Sequence, residues 1–126
     1  MKPKILVLDD QEQYLRSLAR ALRGEYELTT ASTKQGAKAA LTQEIDAVLT
    51  DIRLDESTDD DRQGLDFIRS LRVNYPDIPV VAMSALDVEN IEADALAAGA
   101  TRFLRKPIVI SNLKRVLEQL LQGVHR

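Results

Sequence analysis

Short apolar runs alternate along the chain with segments whose apolar residues recur every three or four positions. Ile5-Leu6-Val7-Leu8 is continuous and apolar and stops abruptly at Asp9-Asp10. Leu15, Leu18, Ala19 and Leu22 then fall on one face of a helix that Gly24 closes. Tyr26 to Ala31 reads as a second strand, more polar and so nearer a sheet edge. Ser32, with Gln35 three residues on, predicts a capping box for a helix carrying Ala37, Ala40 and Leu41. Ala47-Val48-Leu49-Thr50 is a buried strand that ends on the carboxylate of Asp51. The stretch from Asp55 to Arg62 has no period and many acids, and reads as a loop. From Gly64 a helix runs through Leu65, Ile68 and Leu71 toward Pro76. Ile78 to Met83 forms a fourth strand ending at Ser84, and Asp87 caps a helix with Val88, Ile91 and Ala95 inward and Gly99 at its close. Thr101 to Leu104 is a short fifth strand ending at Lys106-Pro107, and Ser111 caps a last helix with Leu113, Val116, Leu117, Leu120 and Leu121 on one face.

Strand and helix thus alternate from end to end. That order predicts an α/β domain, a parallel sheet with helices on both faces and right-handed crossovers. In such folds ligands bind beyond the carboxyl ends of the strands. The length of 126 residues suits one domain, 1–126, and 44% hydrophobic residues supply a core for it. A net charge of -3 gives no basic footprint for nucleic acid and no polybasic membrane patch. Without cysteine, disulfides and thiolate chemistry are excluded, and a cytoplasmic location is the expectation. The apolar run near the N-terminus is too short for a signal peptide, and no run reaches transmembrane length.

Four of the five strands end in a polar group: Asp9 with Asp10, Asp51, Ser84 and Lys106. A parallel sheet brings all of these to one edge. Three carboxylates gathered there repel each other and raise one another's pKa values, a conflict that a hard cation such as Mg2+ removes. Lys106 adds a compact positive charge suited to a phosphoryl oxygen, and Ser84 adds a hydroxyl. A carboxylate nucleophile beside a metal and a lysine is a set of parts for making an aspartyl phosphate. Each residue alone has a plainer reading. Asp9 and Asp10 are good helix caps, Asp51 a loop aspartate, Ser84 a turn residue, Lys106 a solvated lysine. Their joint occurrence, each directly after a strand, is what favours chemistry.

These same residues carry a family resemblance. Ile5-Leu6-Val7-Leu8-Asp9-Asp10, Asp46 through Thr50-Asp51-Ile52-Arg53-Leu54, Ile78 through Met83-Ser84-Ala85, and Ala98-Gly99-Ala100 leading to Phe103-Leu104-Arg105-Lys106-Pro107 resemble a response-regulator receiver domain over nearly the whole chain. The resemblance implies a doubly wound, flavodoxin-like (βα)5 fold with strand order 2-1-3-4-5. It implies Asp51 as the phosphoacceptor and Asp9, Asp10, Asp51 and the backbone carbonyl of Arg53 as magnesium ligands. It also implies Ser84 and Lys106 as the groups that meet the phosphoryl, a cis peptide before Pro107, and Phe103 as the switch aromatic. The implied partners are a histidine kinase or histidine phosphotransfer protein upstream and an unidentified protein downstream, read through the fourth helix, fifth strand and fifth helix. No turnover enzyme is implied, only self-phosphorylation from small donors and self-dephosphorylation.

The chain also departs from that pattern. Asp55 stands where receivers often have proline, and the loop before Gly64 is longer than the common form; the acidic stretch reads first as a solvated, mobile loop, and the sharper expectation is that it modulates partner choice or metal access. Thr101-Arg102 replaces the acidic residue that often precedes the switch aromatic, which leaves a homodimer through the usual face in doubt. Arg53 and Leu86 flank the expected site, are bulky, and predict slow self-dephosphorylation. Two other readings stand beside the leading one. A magnesium-dependent phosphatase with an aspartyl intermediate would want Asp-x-Asp on its first strand end, where the acids here are adjacent. An unphosphorylated pseudo-receiver scaffold would not need the complete set of Asp9, Asp10, Asp51, Ser84 and Lys106. The sole histidine, His125, lies near the chain end, so a histidine-dependent triad is not expected.

Overall fold

The computed structural model describes residues 2–53, 63–85 and 90–122. Its elements are β1 (Lys4–Leu8), α1 (Glu12–Leu22), β2 (Glu27–Ala31), α2 (Lys34–Ala40), β3 (Ala47–Asp51), α3 (Gln63–Asn74), β4 (Val80–Ser84), α4 (Ile91–Ala98), β5 (Arg102–Arg105) and α5 (Ile110–Leu120). The five strands form one parallel sheet in the order β2-β1-β3-β4-β5. The parallel sheet is the one expected from the alternation and its order the one the resemblance implied, and β2, more polar than β1, β3 and β4, is at an edge.

Period-two alternation sorts the strand side chains into two cores. Leu6, Leu8, Val48, Val80 and Ala82 pack under α2, α3 and α4, with Leu65, Phe67, Ile68 and Leu71 of α3 the main contributors. Ile5, Val7, Ala47, Leu49, Val81 and Met83 pack under α1 and α5, against Leu15, Leu18, Leu22, Leu113 and Leu117. β1, β3 and β4 are buried on both faces, which is why their sequences read as unbroken apolar runs. Each fully buried leucine or isoleucine contributes about 1.5–3 kcal/mol, so these central strands hold the sheet and fix the edge on which the polar residues gather.

Several element ends differ from the sequence reading. Thr33, not Ser32, caps α2: its Oγ1 accepts from the Gly36 N–H at 2.9 Å while its backbone stays extended. Both residues are good caps by chemistry, and the register of the helix decides between them. Ser111 lies inside the first turn of α5, whose N-cap is Val109 without a side-chain cap. β4 starts at Val80 because Pro79 has no N–H for the ladder, although its carbonyl accepts from Val48 N–H at 3.0 Å. β2 starts at Glu27 and β5 at Arg102. Asp87 and Val88, and the loop from Asp55 to Arg62, lie outside the described residues. Asn90 occupies the N-cap of α4 at φ 70°, a conformation asparagine tolerates better than most residues. Among the described residues no helix is long and apolar enough to cross a membrane.

Candidate functional site

The strand register places the site. Leu8 is the partner of Thr50, so Asp9 and Asp51 follow as neighbours one step beyond. The pairing of β4 with β5 ends at Ser84 and Arg105, and Lys106 continues it by donating its N–H to Ser84 O at 2.9 Å. The Lys106-Pro107 peptide is cis, as the resemblance implied. Asp9 continues the row of Ile5 and Val7, Asp51 the row of Ala47 and Leu49, and Lys106 the position after Arg105 beside partly buried Leu104. All three therefore emerge on the side covered by α1 and α5. Ser84 continues the Val80 and Ala82 row on the other side, where half-buried Phe103 also packs.

The cluster is tight. Lys106 Nζ donates to Asp9 Oδ2 at 2.6 Å and to Asp51 Oδ2 at 3.1 Å. Carboxylate oxygens of Asp9, Asp10 and Asp51 all lie within 4.8 Å of one another. Asp9 and Ser84 are fully buried and Asp51 nearly so. Asp9 Oδ1 also accepts from the Gln11 N–H at 3.0 Å, just ahead of α1, so the helix-capping reading and the site reading of Asp9 are both realised. The Arg53 N–H donates to Asp51 Oδ1 at 3.3 Å and turns the chain after β3. Leu86, the other bulky residue expected to flank the site, lies outside the described residues.

Burial raises the Asp51 carboxyl, Lys106 lowers it and Asp9 raises it, and together they hold it at about 6. Of the repulsion expected from sequence, the effect of Asp9 on Asp51 is present, but loss of water is the larger cause. The same carboxylates hold the Lys106 ammonium above its ordinary pKa, against the opposing effect of its own burial, so it is charged at neutral pH. An all-oxygen donor set of this kind fits a hard divalent cation better than a soft one. Asp9, Asp10 and Asp51 are the residues that could hold it.

Sequence reasoning missed Tyr14. Its ring lies against the Lys106 ammonium, with Nζ 4.3 Å from the ring centroid. The signal was an aromatic residue one turn beyond the acidic pair, but the helical pattern drew attention to its leucine neighbours.

The family model for the response regulator receiver domain matches residues 5–118. The chain is 32% identical over 123 residues to the transcriptional regulatory protein ZraR of Escherichia coli (strain K12), an alignment covering 96% of this chain and 27% of that one. It is 34% identical over 108 residues to the photosynthetic apparatus regulatory protein RegA of Rhodovulum sulfidophilum, covering 83% and 56% of the two chains. The crystal structure of the receiver domain of NtrX from Brucella abortus superposes with a TM-score of 0.83 at 30% identity, covering 95% of this chain and 99% of that one. The chain thus spans about a quarter to just over half the length of these two curated relatives.

Proposed function

The chain belongs to the response-regulator receiver family of two-component signalling, and we propose that it acts there as a phosphoacceptor switch with Asp51 as the acceptor. The observation that carries this reading is the Lys106 ammonium seated between the Asp9 and Asp51 carboxylates at the carboxyl edge of the sheet. The donor would be a phosphohistidine on a histidine kinase or a histidine phosphotransfer protein. One Asp51 carboxylate oxygen forms a bond to phosphorus, the phosphorus–nitrogen bond breaks, and the departing imidazole nitrogen keeps the electron pair. With the other ring nitrogen of the phosphohistidine carrying a proton, the products are an acyl phosphate on Asp51 and a neutral histidine on the donor.

Two features of the chain's own residues support the step. Asp51 must be ionised to attack, and a pKa of about 6 leaves most of it ionised at neutral pH. Lys106 already sits within hydrogen-bond distance of the acceptor oxygen and supplies a positive charge for the phosphoryl oxygens. Asp9, Asp10 and Asp51, with the backbone carbonyl of Arg53, would hold a magnesium ion, which when bound adds divalent charge against the phosphoryl oxygens. The protein is a phosphoacceptor rather than a turnover enzyme.

The phosphoryl group brings a charge of roughly -1.5 to -2 and three acceptor oxygens. The Ser84 hydroxyl at the end of β4 is the group proposed to answer it. Ser84 shares its side of the sheet with Phe103, and their strands pair directly through Ala82 and Phe103. A shift at Ser84 would thus reach the Phe103 ring and the surface of α4, β5 and α5, which we take as the surface read by the downstream partner.

Incubation with magnesium and a small acyl-phosphate donor, followed by intact mass, tests this. One added phosphoryl group is expected on the wild type and none on Asp51→Asn. A folded wild type that takes up no phosphoryl would end this reading and leave an unphosphorylated scaffold.

A further inference from the structure

Tyr14 stands in the first turn of α1, on the segment that also carries Asp9 and Asp10. Its ring face meets Lys106 Nζ at 4.3 Å from the centroid. The Lys106 side chain is only 11% exposed, so water competes little for the ammonium. Desolvation is the condition under which a cation over an aromatic face is held most strongly. Tyr14 and Ile108, the latter two residues beyond Lys106, are both partly buried and packed against the same core cluster. Burial raises the phenol's pKa, so the ring stays neutral beside the two carboxylates.

We propose that Tyr14 is a positioning residue for Lys106: its ring face fixes the ammonium beside Asp51, independently of the carboxylates, for phosphoryl transfer. This rests on the reading of Asp51 as phosphoacceptor. The need for such a residue follows from the distances. Of the ammonium's two carboxylate partners, Asp9 at 2.6 Å is closer than Asp51 at 3.1 Å. Both carboxylates are also the groups that would hold a divalent cation, so the two positive charges share the same partners. The lysine stem is long and flexible, and an ammonium that loses its carboxylates is free to turn toward water. An uncharged ring is no ligand for a hard cation. Its contact with Lys106 is thus one for which a hard cation does not compete.

The plainer reading is that Tyr14 only packs against the core between the sheet, α1 and α5, which it does. Any apolar side chain of similar size would serve that purpose. An aromatic face and an aliphatic side chain differ in what they do to the lysine, and that difference can be measured. In the wild type without phosphoryl donor, the Lys106 side-chain protons should be shifted upfield in the NMR spectrum by the ring current of Tyr14. Tyr14→Phe should keep that shift; Tyr14→Leu should abolish it. In magnesium and an acyl-phosphate donor, Tyr14→Leu should be phosphorylated about tenfold more slowly than wild type, while Tyr14→Phe restores most of the rate. Tyr14→Met is a second aliphatic variant, of different shape, should Tyr14→Leu fail to fold. A wild type with unshifted Lys106 protons overturns the proposal. So does an aliphatic variant that is folded and phosphorylated at the wild-type rate. A wild type that shows the ring-current shift yet takes up no phosphoryl overturns instead the phosphoacceptor reading on which the proposal rests, and the two failures are thereby distinguished.

Discussion

Asp51 is pulled in two directions by its surroundings. Burial favours its neutral form, Lys106 favours its charged form, and the net result is a rise from 3.8 to about 6. A carboxyl whose folded pKa lies above its unfolded value binds more protons in the folded state across the window between them. Stability therefore falls as pH rises from about 4 to about 6, and the whole cost, on the order of 3 kcal/mol for a shift of roughly two units, remains at neutral pH. Asparagine keeps the shape and removes the charge. Asp51→Asn should thus be more stable than wild type at pH 7.5 by about 1–3 kcal/mol in urea unfolding, and the advantage should vanish near pH 4. Equal stability at both pH values would show that ionised Asp51 costs nothing. Direct titration of the Asp51 carboxyl carbon by NMR should give a midpoint near 6 without divalent cation. Added magnesium should move that midpoint down, because a cation favours the ionised form. A midpoint that magnesium leaves unmoved would separate Asp51 from the metal.

The start of α3 is set by how closely it approaches the end of β3. The Gly64 N–H donates to Ile52 O at 2.8 Å. A Cβ at residue 64 would stand 2.3 Å from Asp51 O and 2.5 Å from Ile52 Cα. Both are backbone atoms of the segment that carries Asp51, and neither can yield without moving it. Gly64→Ala should therefore cost about 1–3 kcal/mol in chemical denaturation, the usual range for overpacking, and displace Asp51 relative to Lys106. Unchanged stability and an unchanged Lys106 environment would mean that α3 can back away freely. Gly64 was legible in the sequence as the opening of this helix, and so were the strands, since buried parallel strands are written as unbroken apolar runs. The helix caps were less legible. Ser32 and Thr33 are chemically equivalent candidates, and only the helix register selects Thr33. Ser111 looked like a cap but α5 begins earlier, at Ile110. Arg72 was illegible altogether. A basic residue in the last turn of an amphipathic helix reads as solvated, yet its guanidinium donates to the carbonyls of Gly99 at 2.7 Å and Ile78 at 2.6 Å and to Thr101 Oγ1 at 3.2 Å. Those acceptors lie up to 29 positions away in sequence, and no local pattern announces them.

The site exists only when the whole sheet exists. Lys106 and Asp9 are 97 positions apart in sequence and 2.6 Å apart in space, and Asp51 reaches the same point from a third strand. In the unfolded chain the three carboxylates do not share a volume. A divalent cation that needs all of them thus binds the folded state and not the unfolded one, and such binding stabilises by mass action, about 2.7 kcal/mol at a hundred times its dissociation constant. For a domain between the two sizes for which the scaling is known, that is a rise in Tm of about 10 °C. Relief of the repulsion of Asp51 by Asp9 is part of that binding free energy. Magnesium should therefore raise the wild-type melting temperature in a saturable way, while a monovalent salt at equal ionic strength should not. Asp9→Asn removes a candidate ligand and should weaken the dependence, so that the same magnesium concentration raises Tm by only a few degrees. A wild-type Tm that does not respond to magnesium would show that the three carboxylates are answered by Lys106 alone.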